Sequence, residues 1–314
     1  MTASTIGSGQ FGAIRRIGSW LVAAVVFWFL FRRLAHDWPV VQPMLRNLSW
    51  PWLTGAFAAC FIYFAWQIIG WREILRSLGV ASHFWTAAKV WMNGEIIRYV
   101  PGNLWSFLGR MAQAEKLATS KTVIGASMAM EALVMVMSAT ALAAILLISY
   151  PRYMFLGRSY LLLLIAFLAV VLSTNTVAKK FVHLIFRIFR RGQEFPLVRG
   201  LTVAFGAKTA AWIMFAVFQI FIMRGLGLAV NGMNWLIFSG IFIASWLLGY
   251  LSFITPSGLG VREALLTWFF APYLGTGQAI LVAVVSRLAL TLIELATLGL
   301  VNGIAREKSD TLES

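Results

Sequence analysis

Acidic residues are scarce in this sequence. Asp and Glu together number 11 among 314 residues, and charged residues of both signs make up only 12%. Enzymes that work by acid–base or metal chemistry need a positioned base or a pair of metal-binding carboxylates. The polar loops here are short and poor in acidic residues, and we therefore expect that the chain is not an enzyme.

Cysteine and histidine are also rare. The single cysteine, Cys60, lies in an apolar run and has no partner for an internal disulfide. The three histidines, His36, His83 and His183, are far apart and are not accompanied by a cluster of cysteines or carboxylates. Metal sites in proteins usually combine several such ligands. We therefore expect neither a metal site nor a bound cofactor.

Apolar residues, by contrast, are abundant. They make up 60% of the chain, and the mean hydropathy is +0.82. Soluble domains do not have this composition, which predicts an all-α polytopic integral membrane protein. The net charge of +15 indicates contact with anionic membrane lipids. No nucleic-acid-binding motif accompanies the positive charge, so a nucleic-acid partner is not expected.

Apolar runs of membrane-spanning length predict about six transmembrane helices in a single domain, 1–314. These runs are 17–34, 52–70, 121–149, 160–177, 201–223 and 278–303. Two further apolar segments, 84–116 and 235–273, contain charges, proline and glycine, and we interpret them as re-entrant hairpins. If both arms of 235–273 cross the membrane instead, the chain has eight spans. The placement of Lys and Arg predicts a cytoplasmic (inner) membrane protein with both termini in the cytoplasm.

The two interrupted segments have similar surroundings, which indicates an inverted repeat with halves 17–149 and 160–303. Glu131 lies 30 residues after Pro101, and Arg287 lies 31 residues after Pro256. Inverted repeats of this kind bring broken helices together around a shared site. No clear sequence similarity between the halves supports the repeat, which therefore depends on topology alone.

The first interruption combines charge with a helix break in an apolar region. Glu95, Arg98 and Arg110 flank the turn Pro101-Gly102-Asn103. Charges at membrane depth are costly unless they face protein or a wet cavity, and arginine binds phosphate oxygens through two hydrogen bonds at once. We predict that the two arginines and the three turn residues bind an anionic headgroup. The alternatives are ion pairs with Glu95, a buried loop between helices and, for Asn103, helix capping.

The second interruption is the glycine-rich stretch Pro256-Ser257-Gly258-Leu259-Gly260-Val261-Arg262-Glu263. Backbone N–H groups in such a turn bind anions. Gly258, Gly260 and Arg262 are therefore predicted to contribute to the same substrate site. The alternative for Arg262 is an ion pair with Glu263 or Glu131.

Charged residues near the interruptions and inside the apolar runs are predicted to be charge-coupling residues, whose charges interact with the substrate or with one another. They are Glu95, Glu131, Glu263, Arg287 and Glu294. The carboxylates could carry protons, contact a cationic headgroup, or neutralise buried arginines. Structural neutralisation stays open for each of them.

Two motifs resemble a known family: Arg98-Tyr99-Val100-Pro101-Gly102-Asn103-Leu104-Trp105 and the stretch from Pro256 to Glu263. With this spacing and hydropathy they are similar to the flippase-like transmembrane domain of lysylphosphatidylglycerol synthases, over about residues 15–305. The resemblance implies re-entrant helices and movement of lipids between leaflets. The 314 residues contain no counterpart of the family's synthase domain, so lysyl transfer is not expected. Aminoacyl-phospholipids, glycolipids and polyprenyl-phosphate sugars all stay open as substrates.

Two other functions compete with lipid movement. A membrane partner of a lipid-modifying synthase or glycosyltransferase would account for the basic segment 179–199, which could dock a protein as well as a leaflet. An integral-membrane transferase is less favoured because acidic residues are so few. The oligomeric state cannot be read from the sequence.

Overall fold

Helices make up the part of the chain that the computed structural model describes. These residues are 38–97, 105–148, 194–228, 234–252, 258 and 260–313, with isolated positions between 28 and 36 and between 155 and 162. No β-strand occurs among them. The helices are α1 (Trp38–Arg46), α2 (Trp50–Ser77), α3 (Phe84–Ile96), α4 (Trp105–Met111), α5 (Lys121–Ile148), α6 (Glu194–Gly225), α7 (Asn234–Leu251), α8 (Val261–Leu274) and α9 (Thr276–Glu313). The all-α prediction is confirmed.

Four of these helices are long and apolar enough to cross a membrane. The candidate spans are Trp50–Ser77, Lys121–Ile148, Arg199–Gly225 and Thr276–Ile304. At 1.5 Å per residue, a helix of 28 residues is about 42 Å long, which exceeds the hydrocarbon core of about 30 Å. The four predicted spans 52–70, 121–149, 201–223 and 278–303 are therefore confirmed. The predicted spans 17–34 and 160–177 lie almost entirely outside the described residues.

Both predicted interruptions separate short helices. The first lies between α3 and α4, with residues 98–104 outside the described part, and the second lies between α7 and α8. Helix α3 has 13 residues and α4 has 7, so neither is long enough to cross the hydrocarbon core alone. Short arms of this kind are expected of a re-entrant hairpin. Whether 235–273 makes a hairpin or two crossings stays a prediction.

Helices α2 and α6 form an antiparallel pair along their full length. At one end, Ser49 N donates a hydrogen bond to the Gly225 carbonyl oxygen at 2.9 Å. At the other end, Gly200 lies against Ser77. Small residues at such contacts let two membrane helices approach closely, so the pair gains van der Waals contact where lipid provides no hydrophobic driving force.

We expect Gly200→Ala to lower the free energy of unfolding by about 2 kcal/mol, because overpacking a close helix contact costs on this order. An added Cβ would lie 2.6 Å from Ser77 Cβ and 3.2 Å from the Glu73 carbonyl oxygen, so the helices would have to separate. Gly206→Ala on the same helix is the control, since no atom lies within 4 Å of its added Cβ. Denaturant titration in mixed micelles measures both, and equal stability of the two variants would contradict the close packing.

The helix contacts have an internal symmetry. If α2 is exchanged with α6, α3 with α7, α4 with α8 and α5 with α9, the α2/α6 pair maps onto itself. Every other packed pair among these eight helices becomes another packed pair. For example, α3 packs on α9 as α7 packs on α5, and α2 packs on α9 as α6 packs on α5. Since the exchanged helices α2 and α6 are antiparallel, this is the pairing that the predicted inverted repeat requires. The division into halves 17–149 and 160–303 stays a prediction.

Candidate functional site

A buried carboxylate on α5, Glu131, accepts hydrogen bonds from three other helices. Trp91 Nε1 on α3 donates at 2.8 Å, Lys208 Nζ on α6 donates at 2.6 Å, and Arg110 Nη1 on α4 donates to the second oxygen. A buried carboxylate needs such partners because the desolvation of its charge is otherwise uncompensated. Glu131 therefore joins the first interrupted segment to the bundle of long helices.

Lys208 is fully buried, and all three of its ammonium donors are used. Besides Glu131, Nζ donates to the Gln67 side-chain oxygen at 2.6 Å and to the Gln67 carbonyl oxygen at 3.0 Å. Gly70 makes room for this side chain, since a Cβ there would lie 3.0 Å from Lys208 Cε. The lysine thus neutralises Glu131 and fastens α6 to α2.

Arg110 lies between two carboxylates. Nη1 donates to Glu131 and Nη2 donates to Glu95 near the end of α3. The guanidinium also lies over the rings of Trp71 and Trp91, at 5.3 and 5.0 Å from the ring centres. Planar stacking and a forked pair of hydrogen bonds are interactions that lysine could not reproduce.

These side chains form what we call the Glu131 cluster, consisting of Gln67, Trp71, Trp91, Glu95, Arg110, Glu131 and Lys208. It contains two cations and two carboxylates, so its formal charge is zero. Glu131 lies ten residues from the start of α5 and Gln67 lies ten from the end of α2, which is about 15 Å along either helix axis. For helices of about 42 Å centred on a hydrocarbon core of about 30 Å, this distance corresponds to a position inside the core, where charges are rare and usually functional.

The second interruption is organised around Glu263. Its Oε2 accepts a hydrogen bond from Gly260 N at 2.7 Å, which caps the start of α8. Its Oε1 lies 3.9 Å from Arg287 Nε on α9. Gly258 and Gly260 have φ of 66° and 85°, which only glycine adopts readily. Glu263 therefore both holds the turn and neutralises a buried arginine.

Arg262 is buried beside this turn. Its guanidinium lies over the Phe215 ring on α6, 5.3 Å from the ring centre. Phe215 in turn packs on Tyr63 of α2, with ring centres 5.5 Å apart. The second interruption thus contacts the central α2/α6 pair, to which the Glu131 cluster is also fastened.

A short sequence pattern occurs in both interrupted segments. Trp91, Gly94 and Pro101 have the spacing W-x2-G-x6-P, and Trp246, Gly249 and Pro256 repeat it 155 residues later. The two glycines have the same role: a Cβ on Gly94 would lie 2.2 Å from Arg110 Cγ, and a Cβ on Gly249 would lie 3.1 Å from Arg262 Cβ. In each half, the first arm therefore has a glycine where an arginine of the second arm packs. This repeated pattern was not among the features that predicted the inverted repeat.

The predicted site residues fall into three groups and one further residue, Glu294. Arg98, Pro101, Gly102 and Asn103 lie outside the described residues. Glu95, Arg110 and Glu131 are in the Glu131 cluster, whereas Gly258, Gly260, Arg262, Glu263 and Arg287 lie at the second turn. Glu294 is buried on α9.

One of the alternatives for Arg262, an ion pair with Glu131, is wrong. Glu131 pairs with Arg110 and Lys208. The reason is that α5 presents Glu131 to α4 and α6, while the Arg262 guanidinium lies over the Phe215 ring. Lys208, Gln67 and Trp71 were not singled out from the sequence. Lys208 could have been, because it is the single basic residue in the apolar run 201–223.

Within the described ranges, no group of three or more His, Cys, Asp or Glu side chains is placed to hold a metal ion. No curated protein matches the sequence.

A family model does match: that of the lysylphosphatidylglycerol synthase TM region, over residues 16–297. The matched range contains the Glu131 cluster and the second glycine-rich turn. Because the match covers most of the 314 residues, this chain belongs to the lysylphosphatidylglycerol synthase transmembrane-region family.

Proposed function

We propose that this protein moves a phosphate-bearing lipid between the two leaflets of the membrane and catalyses no reaction. Aminoacyl-phospholipids, glycolipids and polyprenyl-phosphate sugars are the substrate classes considered. The headgroup binds where the interrupted helices meet the α2/α6 pair, and the acyl or prenyl chains stay in the bilayer. The membrane is the cytoplasmic one, with both termini in the cytoplasm.

The observation that carries this proposal is the position of Arg110. Its guanidinium is buried well inside the hydrocarbon core, at an interruption between two short helices, with carboxylates on both sides. A structural contact between helices does not need four charges at this depth, because burying charge in a membrane costs free energy. Binding of a polar group that crosses the membrane would account for that cost. Membership of a family related to lipid synthesis supports a lipid as that substrate.

The second turn contributes from the other half of the repeat. Arg262, which follows the turn that contains Gly258 and Gly260, lies against the central helix pair through Phe215. In an inverted repeat, the two interrupted segments enter from opposite sides of the membrane. A headgroup that passes between them meets an arginine from each half in turn. Arg98, next to the first turn, adds a third cation to this path.

We expect Arg110→Lys to slow lipid movement at least tenfold, a change of about 1.4 kcal/mol in the transition state. Lysine keeps the positive charge that Glu95 and Glu131 require, but it lacks the paired N–H donors with which a guanidinium binds two phosphate oxygens at once. The measurement is the loss of fluorescence of a labelled lipid in reconstituted vesicles after an impermeant reductant is added. Arg98→Lys and Arg262→Lys are expected to slow movement in the same assay.

The matched control is Arg76→Lys, which alters an exposed surface ion pair with Glu73. It should leave the rate unchanged. Wild-type rates in all three site variants, with folding intact, would contradict the proposed path. If the wild-type protein moves no lipid and instead retains a synthase or glycosyltransferase through segment 179–199, the protein is a membrane partner and the proposal is wrong.

A further inference from the structure

We infer that the stacked rings of Trp246 and Tyr250 bind the sugar ring of a glycosylated lipid headgroup. This inference rests on the proposed function, and it narrows the three substrate classes considered there to the two that contain a sugar. Three features of the molecule support it: the exposure of Tyr250, the course of α7 along α5, and the pairing of the carboxylates at the two interruptions.

Tyr250 is the exposed end of a chain of aromatic rings. Its ring stacks on Trp246, with the ring centres 5.3 Å apart and the planes 11° apart. Trp246 in turn packs edge to face on Trp212, and Trp212 Nε1 donates a hydrogen bond to Ser138 Oγ at 3.2 Å. Trp212 is fully buried, whereas Tyr250 is 38% exposed. The chain therefore holds the Tyr250 ring in a fixed plane, with one face on Trp246 and the other face available to a ligand.

The exposure of Tyr250 begins where α7 ends. The side of a helix that faces lipid is exposed at every turn, at spacings of three or four residues. Ile243 and Leu247 precede Tyr250 on its side of α7, and both are buried. No residue in the whole stretch 237–249 is exposed. The exposure of Tyr250 therefore arises at the second interruption and does not belong to a lipid-facing stripe.

Helix α7 runs antiparallel to α5 and ends toward Glu131. Gly240 lies against Leu147 near the end of α5, whereas the ring chain contacts Ser138, nine residues earlier. Tyr250 follows Gly240 by ten residues, which places it roughly 9 Å from Glu131 along the axis of α5. A headgroup made of a sugar and a phosphate is about this long. A sugar on Tyr250 therefore leaves its phosphate within reach of the arginines at the interruptions.

Pairing of the carboxylates selects a neutral headgroup over an aminoacyl one. Each carboxylate at the two interruptions has a cation beside it: Glu95 has Arg110, Glu131 has Arg110 and Lys208, and Glu263 has Arg287. Among the described residues there, the amine of an aminoacyl headgroup would thus compete with an arginine or a lysine for its counter-ion. A sugar ring is uncharged, and its C–H groups suit the negative face of an aromatic ring. The Tyr250 hydroxyl can donate a hydrogen bond to a sugar oxygen.

The test is calorimetric titration of the whole protein in a polyoxyethylene detergent, which contains neither sugar nor phosphate. The titrants are short-chain phosphatidylglucose and short-chain phosphatidylmethanol, which have the same charge and the same acyl chains. We expect the glucose lipid to bind wild type about tenfold more tightly, because stacking adds to the contacts of the phosphate. Equal affinity for the two lipids would overturn the inference.

Variants locate the preference for sugar on the ring. Tyr250→Leu should bind phosphatidylglucose about tenfold more weakly and phosphatidylmethanol as wild type does, and Tyr250→Phe, which keeps the ring, should keep most of the preference. The matched control is Trp268→Leu, which removes an indole that is 69% exposed on α8. It should leave both affinities unchanged. An undiminished preference in Tyr250→Leu, or an equal loss in Trp268→Leu, would overturn the assignment to Tyr250.

Two further titrants separate the headgroup from its alternatives. Short-chain lysylphosphatidylglycerol and free glucose should each bind at least tenfold more weakly than phosphatidylglucose. A lysyl lipid that binds as tightly as the glucose lipid would overturn the choice of a sugar over an amine. Free glucose that binds as tightly would overturn the assignment to a lipid.

A measurement on the wild-type protein keeps the test valid if a variant fails to fold. Saturation of the aromatic protons by nuclear magnetic resonance should pass to the sugar C–H protons of bound phosphatidylglucose, and no transfer to those protons would overturn the inference. Vesicle assays keep this result apart from the proposed function. Lipid movement without any preference for sugar overturns the inference alone, and sugar-dependent binding without lipid movement supports the ring site while overturning the function.

Discussion

Glu131→Ala is expected to lower the free energy of unfolding by about 3–5 kcal/mol, the range found when one partner of a buried ion pair is removed. The substitution leaves Lys208 fully buried with Gln67 as its hydrogen-bond partner and no carboxylate, and among the described residues it leaves Arg110 with the carboxylate of Glu95 alone. Trp91 Nε1 loses its acceptor as well. Denaturant titration in mixed micelles, followed by circular dichroism, measures the change.

Two comparison variants separate lost pairing from lost packing. Glu115→Ala removes an exposed carboxylate and should stay within about 0.5 kcal/mol of wild type. The double variant Glu131→Gln with Lys208→Met removes one buried charge of each sign and should recover much of the loss. If Glu131→Ala is as stable as the Glu115 control, Glu131 does not hold the two cations.

The long helices could be predicted because hydropathy marks the part of a helix that lies in lipid. The run 121–149 matches Lys121–Ile148 closely, since both ends coincide with the ends of the apolar sequence. The run 278–303 matches about the first two thirds of α9, which continues to Glu313. Beyond the hydrocarbon core, polar residues are as favourable as apolar ones in a helix, so hydropathy contains no signal for where such a helix ends.

The site was harder to predict than the fold. Glu131 and Arg110 stand out because charges inside apolar runs are rare. The partner Lys208 could not be assigned to Glu131 from the sequence. The two residues are 77 positions apart along the chain, and they meet only because α5 packs on α6. In addition, Lys208 is the eighth residue of the run 201–223, which predicts a position toward one end of a span. In fact α6 begins at Glu194, so the lysine lies well inside the helix.

The repeated W-x2-G-x6-P pattern shows what the sequence could still have provided. Spacing alone gave Pro101 and Pro256 as equivalent positions, and Gly94 and Gly249 have the same relation. The pattern was not evident because the charged positions differ: Tyr250 stands where the first half has Glu95. The halves therefore share their packing and differ in their electrostatics, which a comparison based on charged residues cannot detect.

The close packing at Gly249 can be tested through Gly258, which lies against its backbone at the second interruption. We expect Gly258→Ala to lower the free energy of unfolding by about 3 kcal/mol, as the sum of a strained backbone and a steric overlap. Its φ is 66°, in the left-handed region. An added Cβ would lie 2.6 Å from the Gly249 carbonyl oxygen and 2.9 Å from its carbonyl carbon. Backbone atoms cannot rotate away, so α7 and α8 would have to separate, and Arg262 would move with them.

Gly79→Ala isolates the backbone contribution to this effect. Gly79 follows the end of α2 with a left-handed φ of 80°, and no neighbouring residue lies within 4 Å of its added Cβ. It should lose about 1 kcal/mol, the cost of the strained conformation alone. Denaturant titration in mixed micelles compares the two, and vesicle assays at a temperature where both are folded report on Arg262. If both variants lose the same stability, Gly258 is required only for its backbone conformation, and the close approach of α7 to the second turn does not position the arginine.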